Sequence, residues 1–501
     1  MADNNNNKPA AAPQVEQDES EIRAVRLSKL EEMTASGNNP YEQTRFERTH
    51  KSEEIKTDVE ELTGKKVKIA GRLISKRIMG KAAFAHVLDS AGQIQIYLKS
   101  DTLGDRYAEI KKYDIGDIIG VEGEVFTTHK GEVSVAVTDC VMLSKSLLPL
   151  PEKWHGLKDN DLRYRQRYVD LIANPEVMTT FKKRAALISA IRRLLEDKGF
   201  TEVETPILNT VAGGAAARPF VTHHNTLNLD MYMRIAPELY LKRLIVGGME
   251  RVYELGRMFR NEGMDVKHNP EFTMMELYQA YADYNDMMNL TEEIYEAAGS
   301  ALGCGGKITY QGTEINLARP WARYTMKDAV KKFAGIDFTG MDVKAAAKAA
   351  AAKGVELDGN ATSVGRILYA AFDQLVEKQL VQPTFITEYP IEISPLAKKD
   401  KDNPEMTYRF EVFMNGMEMG NAYSELNDPI DQKSRFEAQA KLKTQGDEDA
   451  QEKDDDFVTA LEYGMPPTGG LGLGIDRMVM LFTDCASIRD VLLFPTMKPK
   501  K

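Results

Sequence analysis

The segment 259–278 carries the side-chain chemistry that a nucleotide requires. Arg260 offers a planar fork for phosphate or carboxylate, Glu262 an acceptor for an exocyclic amine, and Phe272 a surface on which a base can stack. His268 adds a second donor to polyphosphate. Two β-like stretches enclose a polar loop here, which predicts a hairpin with these groups on its flanks. An ordinary surface hairpin would have a similar composition.

A glycine-rich segment, Gly470–Arg477, precedes an apolar run near the C-terminus. Glycines let a ligand approach the backbone closely, and the N-terminus of the helix that follows favours an anion. Arg477 adds positive charge, so the segment is a candidate phosphate site. Its spacing matches neither the dinucleotide-binding motif nor the P-loop, and no P-loop pattern occurs anywhere in the chain.

Two glutamates predict a site for a divalent cation. Glu411 and Glu418 flank a turn at Asn415-Gly416. A hairpin at this turn would bring the two carboxylates together, where they repel each other unless a cation or a shared proton intervenes. The alternative is a pair of solvated strand acids.

Further acidic residues predict a pocket for a cationic substrate. Asn421, Tyr423 and Glu425 alternate along a predicted strand and therefore point to one face. Glu238 follows the pair Ala236-Pro237. Carboxylates gathered in one pocket would suit a substrate that carries ammonium groups.

The length of 501 residues predicts more than one domain, because single cores stop growing at roughly 250–300 residues. Five β-rich runs in residues 65–148, with a helical insertion at about Asp101–Tyr113, predict an all-β OB-type barrel; an SH3-like barrel is the alternative. Alternating helices and β-rich segments predict an α+β domain in residues 180–501, with an insertion at about 300–380. The remaining ranges are predicted as a disordered tail (1–20), a helical region (21–64) and a hinge (149–179).

Composition limits the classes of partner. A net charge of −11 argues against indiscriminate binding of polyanions, so any nucleic-acid site must be locally basic. Arg23, Arg26 and Lys29 form one basic stripe on a predicted helix, which is either a solvated face or an RNA contact. Three cysteines without metal-ligand spacing indicate a reducing, cytoplasmic compartment. No apolar run approaches the ~18 residues of a membrane span.

Gly199–Pro206, the segment 259–278 and Gly470–Arg477, in this order, resemble the three signature motifs of class II aminoacyl-tRNA synthetases. The resemblance extends from about Lys65 to Pro495. With the OB-like domain it places the chain beside the subgroup that handles lysine, aspartate and asparagine. Gly213–Phe220 and Ala236–Lys242 resemble the bacterial-type lysyl branch.

That resemblance implies a fold, an activity and partners. The fold is an α+β catalytic domain built on an antiparallel sheet, with an N-terminal all-β OB-fold domain. The activity is that of a lysine–tRNA ligase, which forms lysyl-adenylate and pyrophosphate and then charges the 3′ end of tRNA(Lys). The partners are L-lysine, ATP and tRNA(Lys), with Mg²⁺ as cofactor. The first motif implies a homodimer.

The resemblance also implies residue roles. Arg260 and Arg477 are the expected catalytic residues, and ATP is expected to contact Arg260, Glu262, His268, Asn269, Phe272, Glu411 and Arg477. Lysine is expected to contact Gly214, Glu238, Arg260, Glu276, Tyr278, Asn421, Tyr423 and Glu425. Glu238 and the Gly214 backbone would take the α-ammonium, and Glu425 and Tyr278 the ε-ammonium. Mg²⁺ is expected on Glu411 and Glu418, and the anticodon on Arg77, Phe84, Gln95 and Glu132.

Three alternatives remain open. Phe84 is either a base-stacking residue or part of the barrel core. A paralogue that lysylates a protein would share the catalytic motifs, although such paralogues commonly lack an anticodon domain. A noncatalytic nucleic-acid-binding or regulatory protein would use the OB domain alone.

Overall fold

The computed structural model describes residues 14–151, 157–357, 359, 361–444 and 453–500. The chain falls into two compact units, Met1–Lys158 and Asp159–Lys501. Within the described part of the chain, no helix combines the length and the apolar character that crossing a membrane would need. Cys140, Cys304 and Cys485 are free thiols.

The first unit is a closed β-barrel. Its strands are β1 (Lys66–Met79), β2 (Ala82–Leu88), β3 (Gln93–Lys99), β4 (Ile118–Thr127) and β5 (Val133–Ser144). They close in the order β1-β2-β3-β5-β4, which confirms the predicted OB-type barrel. Alternate residues point inward: Ala83, Ala85 and Val87 of β2 are buried, because successive side chains of a strand face opposite sides.

Short helices surround the barrel. They are α1 (Gln14–Ala35), α2 (Ser52–Thr57), α3 (Val59–Leu62), α4 (Ser100–Leu103) and α5 (Arg106–Ile110), with a 3₁₀ turn at Pro40–Glu42. Helices α4 and α5 fill the insertion that the sequence predicted between β3 and β4.

Helix α1 begins at Gln14, inside the range predicted as a disordered tail. The tail's first thirteen residues lie outside the described residues. Two members of the predicted basic stripe hold α1 on the barrel: Arg26 Nη1 donates to the carbonyl oxygens of Ser146 (3.0 Å) and Leu148 (2.9 Å), and Lys29 pairs with Asp114 (2.7 Å). The stripe is therefore largely structural, and within it Arg23 is exposed.

The second unit is built on a large mixed sheet. Its strands, together with those of two smaller sheets, are β6 (Thr201–Glu202), β7 (Leu208–Asn209), β8 (Val221–His224), β9 (Leu229–Met233), β10 (Arg251–Phe259), β11 (Glu271–Ala280), β12 (Lys307–Tyr310), β13 (Thr313–Asn316), β14 (Ala322–Thr325), β15 (Thr384–Pro390), β16 (Met406–Met414), β17 (Met417–Ser424) and β18 (Thr468–Gly474). The order of the main sheet is β14-β15-β16-β17-β18-β11-β10-β6. All pairs from β15 to β10 are antiparallel, as predicted, and the two edge pairs are parallel.

Helices cover this sheet. They are α6 (Asn160–Arg165), α7 (Arg167–Ala173), α8 (Pro175–Asp197), α9 (Glu238–Val246), α10 (Tyr284–Ala301), α11 (Met326–Ala334), α12 (Val343–Ala351), α13 (Val364–Leu375), α14 (Pro429–Thr444), α15 (Asp455–Glu462), α16 (Ile475–Thr483) and α17 (Ile488–Val491), with 3₁₀ turns at Glu377–Gln379 and Ile391–Ile393. The main core lies between the sheet and the buried faces of α8, α10 and α16. Burial of these apolar faces is the dominant stabilising contribution.

The predicted hinge at 149–179 is in large part helical. Arg167 is buried, pairs with Asp170 (2.5 Å) and donates to the carbonyl oxygens of Arg489 (2.8 Å) and Leu492 (3.1 Å). These contacts tie α7 to the C-terminal helices, so the described residues from Asp159 onward belong to the second unit.

The predicted insertion at about 300–380 is not wholly peripheral. Its strand β14 pairs with β15 and extends the main sheet, and helices α11 to α13 pack around a core of their own. Ala346 and Ala350 of the alanine-rich helix are fully buried in that core. Asp454 caps α15, since its side chain accepts the backbone N–H of Phe457.

Candidate active site

A cavity of about 580 Å³ lies in the second unit, a volume typical of small-ligand sites. The sequence candidates for nucleotide, amino acid and metal binding all line it: Gly214, Glu238, Arg260, Glu262, His268, Asn269, Phe272, Glu276, Tyr278, Glu411, Glu418, Asn421, Tyr423, Glu425 and Arg477. They come from segments as far apart as residues 214 and 477. The fold therefore brings the separately predicted clusters to one place.

The β10–β11 hairpin positions Arg260. The strands pair in register up to Phe259 opposite Glu271, and the backbone N–H of Arg260 donates to the carbonyl oxygen of Pro270 (2.9 Å). The guanidinium carbon lies 5.2 Å from the centre of the Phe272 ring. Nε of Arg260 is buried without a hydrogen-bond partner. Such a donor is costly unless a ligand satisfies it, so Arg260 is poised to bind an anion.

Arg477 and His268 form a hydrogen-bonded pair. Arg477 Nη2 donates to Nε2 of His268 (3.1 Å), so the ring proton resides on Nδ1, which donates to Asp265 (2.8 Å). Arg477 Nη1 also donates to the backbone oxygen of Glu418 (2.6 Å). Both side chains line the cavity, and the guanidinium of Arg477 supplies its positive charge there.

The start of helix α16 is joined to the hairpin by a buried carboxylate. Asp476 accepts the backbone N–H of Thr273 (2.7 Å) and pairs with Arg184 of α8 (2.5 Å). The strand-to-helix turn predicted at Gly470–Arg477 is confirmed, since β18 ends at Gly474 and α16 begins at Ile475. Helix α8 and the third motif thus support the second motif, which carries Arg260.

The β16–β17 hairpin brings Glu411 and Glu418 into the cavity. Its turn is the predicted one: Asn415 (φ 49°) and Gly416 (φ 62°) both adopt positive φ, as a tight two-residue hairpin requires. Glu411 accepts hydrogen bonds from Arg409 (2.6 Å) and Tyr389 (2.8 Å). Burial raises the pKa of Glu411 to about 7, Glu418 adds to the rise, and Arg409 opposes it. Glu411 is therefore not a solvated strand acid, whereas the side chain of Glu418 is 42% exposed.

Three buried glutamates, Glu238, Glu276 and Glu425, form an acidic pocket at the opposite end of the cavity. Tyr423 donates to Oε1 of Glu238 (2.7 Å), and Tyr278 donates to Oε2 of Glu276 (3.1 Å). Burial, reinforced by the charge of Glu238, raises the pKa of Glu276 to about 8. The hydroxyl proton of Tyr278 is thus directed to Glu276.

Two glycines leave room for these acids. An added Cβ at Gly214, which has φ of +89°, would lie 3.3 Å from the Cβ of Glu238. An added Cβ at Gly470 would overlap Oε1 of Glu425 and would lie 2.6 Å from a ring carbon of Tyr278. Gly470 is thus required by the pocket itself and not only by a phosphate approaching the backbone.

Sequence reasoning missed two basic residues of the site. Lys242 is fully buried and pairs with both Glu238 (2.6 Å) and Glu425. Arg409 joins Glu411 to Asn421, whose Oδ1 accepts from Arg409 Nε (3.0 Å). The available signals were local: Lys242 lies four residues after Glu238 on one helix face, and Arg409 two residues before Glu411 on one strand face.

The outer face of the barrel in the first unit carries aromatic rings. Phe84 points away from the core, opposite to Ala83 and Ala85, and its ring centre lies 4.9 Å from that of Tyr97. Tyr97 in turn lies 6.1 Å from Phe126. The alternative in which Phe84 is a core residue is wrong, and the ring is available for stacking on a base.

Polar groups adjoin the aromatic rings on β1, β3 and the β4–β5 turn. Gln95 donates to Glu132 (2.7 Å), and Arg77 pairs with Phe84 in the β1–β2 register. His86, which the sequence analysis did not select, lies 3.0 Å from Glu132. The four residues predicted for the anticodon thus share one surface. Exposed base edges could be read there by hydrogen bonds.

Comparison with known proteins agrees with this arrangement. A family model described as tRNA synthetases class II (D, K and N) matches residues 159–498, and one described as OB-fold nucleic acid binding domain matches residues 67–143. Lysine–tRNA ligase of Thermoanaerobacter sp. (strain X514) is 59% identical over 483 residues, 96% of each chain. Lysine–tRNA ligase of Carboxydothermus hydrogenoformans is 57% identical over 488 residues, 97% of this chain and 99% of the relative. The chain belongs to the class II tRNA synthetases of the D, K and N group.

Proposed function

We propose that the chain is a lysine–tRNA ligase: it activates L-lysine with ATP, releases pyrophosphate, and transfers lysine from the adenylate to the 3′ end of tRNA(Lys). The observation that carries this proposal is a single cavity in which a buried arginine with an unpartnered donor adjoins three buried glutamates. The first group suits two reacting anions, and the second suits a substrate with two ammonium groups. The curated relatives bear the same activity in their names.

Arg260 is the proposed catalytic residue of activation. The carboxylate of lysine attacks the α-phosphate of ATP, so two anions must approach each other. A guanidinium that binds both oxygens neutralises charge as it builds up. No general base is needed, because the attacking carboxylate is already ionised, and catalysis consists of positioning and electrostatics.

ATP would lie along the hairpin and the rim. Phe272 stacks on the adenine, Glu262 and Asn269 lie near the base and ribose, and His268 with Arg477 holds the β- and γ-phosphates. Their positions around one cavity support this assignment.

Mg²⁺ fits the pair Glu411 and Glu418. Among the described residues, no three acidic, histidine or cysteine side chains converge into a complete metal cage. Mg²⁺ does not need one, because it usually keeps water and phosphate oxygens and takes one or two carboxylates. Burial raises the pKa of Glu411 to about 7 and Glu418 contributes to the rise, against the opposing charge of Arg409; a bound cation would likewise favour the ionised pair. When bound with ATP, the ion would neutralise phosphate charge.

The acidic pocket would bind lysine. Glu238 and the Gly214 backbone take the α-ammonium, Glu425 takes the ε-ammonium, and Glu276, Tyr278, Asn421 and Tyr423 complete the lining. A buried carboxylate left without its cation is costly, so charge is the main basis of selection.

Discrimination among analogues tests this pocket. We expect ATP–pyrophosphate exchange with norleucine, which lacks the ε-ammonium, to be slower in kcat/KM than exchange with lysine by about 10⁴-fold or more. Ornithine, which lacks one methylene, should lose only about 10–200-fold. Comparable rates for norleucine and lysine would show that Glu425 does not face the side-chain ammonium.

The barrel would recognise the anticodon. Phe84→Ala should leave ATP–pyrophosphate exchange unchanged and weaken aminoacylation of tRNA(Lys) by roughly 1–3 kcal/mol, because one stacked base loses its ring partner. Phe46→Ala is a matched control, since it removes a ring that packs against Gly120 on another part of the barrel. Equal loss of exchange and aminoacylation in Phe84→Ala would instead indicate a structural role for Phe84.

A homodimer is part of the proposal. The first motif resembles the interface segment of the family, and the residues beside it expose apolar side chains: Ile207 (46%), Leu208 (44%), Val221 (61%), Leu227 (64%) and Leu229 (41%). An apolar patch of this kind marks an interaction surface. The cytoplasm is the proposed location, because ATP and tRNA are used there and free thiols persist there.

A further inference from the structure

The acidic pocket contains a cation of its own. Lys242, on helix α9, has no exposed side-chain surface and forms ion pairs with Glu238 (2.6 Å) and Glu425. Rings of Tyr423, Phe457 and Tyr278 surround its ammonium nitrogen at 5.5, 5.8 and 6.0 Å from their centres. A buried lysine is expensive to desolvate, and it is retained here at the point where a cationic substrate is expected.

Lys242 uses only part of each carboxylate. Both Lys242 and Tyr423 bond to Oε1 of Glu238, so neither occupies Oε2. At Glu425 the ion pair is to Oε2, while Oε1 is buried and has no hydrogen-bond partner. One oxygen of each acid is thus taken by the resident ammonium, and the other remains for a ligand.

We propose that Lys242 is a positioning residue for amino acid specificity, a permanent countercation that holds Glu238 and Glu425 in place and sets how many positive charges the pocket accepts. This inference rests on the proposed function. Once lysine has displaced the proton of Glu276, three ionised glutamates and Lys242 leave two net negative charges in the pocket. The two ammonium groups of lysine balance them, whereas an amino acid with one ammonium group leaves a buried carboxylate uncompensated.

The charged and titratable groups that face Lys242 agree with this count of two net negative charges. Its own helix contributes Glu238, strand β11 contributes Glu276 and Tyr278, strand β17 and its end contribute Tyr423 and Glu425, and Lys398 lies in the field of Glu425. Burial acts to lower the pKa of Lys242, but the two carboxylates raise it above its ordinary value, so the side chain stays cationic. Burial raises the pKa of Glu425, and Lys242 opposes that rise.

The substitution Lys242→Met removes the positive charge that favours the ionised form of Glu425. In Lys242→Met the pKa of Glu425 should rise further, so its carboxyl binds a proton more tightly than in wild type. Lysine must then displace this proton in addition to the one held by Glu276, whose pKa burial and Glu238 raise to about 8. Each displaced proton makes KM for lysine fall about tenfold per pH unit as pH rises.

The test is the pH profile of KM for lysine in ATP–pyrophosphate exchange, below about pH 8. KM of Lys242→Met should fall more steeply with rising pH than KM of wild type, and at neutral pH it should be raised roughly 30-fold or more. Lys242→Met/Glu276→Gln, which removes one anion as well, should return to the wild-type slope. Arg243→Met is the matched control, because Arg243 pairs with Asp454 (2.9 Å) and Asp456 (3.0 Å) outside the pocket.

Three results would overturn the proposal for Lys242. An unchanged slope in Lys242→Met, or a slope equal in the single and double variants, overturns the proposal. So does the loss of cooperative thermal unfolding in both variants, because Lys242 is then a structural residue. A wild-type enzyme without lysine-dependent exchange refutes the proposed function instead, and the two failures are thereby distinguished.

Discussion

Arg260→Ala is expected to reduce lysine-dependent ATP–pyrophosphate exchange by about 10³-fold or more while the thermal unfolding temperature stays close to that of wild type. The reason is that Arg260 has a buried donor without a protein partner, so its removal costs the protein few internal contacts. The reaction, by contrast, loses the positive charge that neutralises the lysine carboxylate and the α-phosphate as they approach each other. The measurement is single-turnover adenylate formation together with a thermal melt.

Arg257→Ala provides the control for that experiment. Arg257 lies on β10, three residues before Arg260, but its partly exposed side chain is 3.6 Å from Glu271 in a surface ion pair. Such pairs contribute about 0–1 kcal/mol, so near-normal exchange is expected. Normal adenylate formation by Arg260→Ala would contradict the catalytic role. A collapse of both variants would show that this hairpin is sensitive to any truncation.

Gly470→Ala should lower kcat/KM for lysine by roughly 10²-fold or more. The new methyl group would occupy the position of Glu425 Oε1 and would press on Tyr278, so the carboxylate must turn away from the substrate. Binding of ATP should change little, because the phosphate-facing residues lie at the other end of the cavity. Exchange kinetics with lysine varied at saturating ATP, and with ATP varied at saturating lysine, separate the two effects.

Gly299→Ala is the comparison for Gly470→Ala. Its added methyl group would meet Phe482 at 3.6 Å, an ordinary contact, in a helix where alanine is favoured. We expect wild-type exchange from this variant. If Gly470→Ala also gave wild-type KM for lysine, the orientation of Glu425 toward the substrate would be wrong.

Local signals made the second and third motifs and the acidic hairpin predictable. Asn415-Gly416 specifies a tight turn by its tolerance of positive φ, and the outcome is the β16–β17 hairpin with Glu411 and Glu418 in the cavity. The barrel was predictable for the same reason, since alternation of small apolar and polar residues marks strands. The same alternation places Phe84 on the outer face of the barrel, because Ala83 and Ala85 point into the core.

Other features depended on contacts between distant segments. The burial of Lys242 requires β17 to bring Glu425 beside α9, and nothing within 238–246 indicates that partner. Arg167 lies in the range that the sequence predicted as a hinge, but Asp170 and the carbonyl oxygens of the C-terminal helices enclose it. The sequence shows that a residue is charged. Only its contacts in the fold show whether that charge is solvated or paired with another segment.

The site as a whole is organised by charge. Arginines at one end match the anions of ATP and of the amino acid carboxylate, and glutamates at the other end match ammonium groups. Lysine alone among the common amino acids in proteins combines a carboxylate with two compact ammonium groups on an unbranched stem. Arginine is also dicationic, but its planar guanidinium presents a fork rather than a point charge.

The measurement that tests this account most directly is ATP–pyrophosphate exchange with each of the twenty amino acids in turn, with Mg²⁺ and without tRNA. Exchange with lysine alone is the predicted result. Exchange with aspartate or asparagine would contradict the assignment of Glu238 and Glu425. The absence of exchange with any amino acid would contradict the catalytic account and favour a noncatalytic, nucleic-acid-binding role.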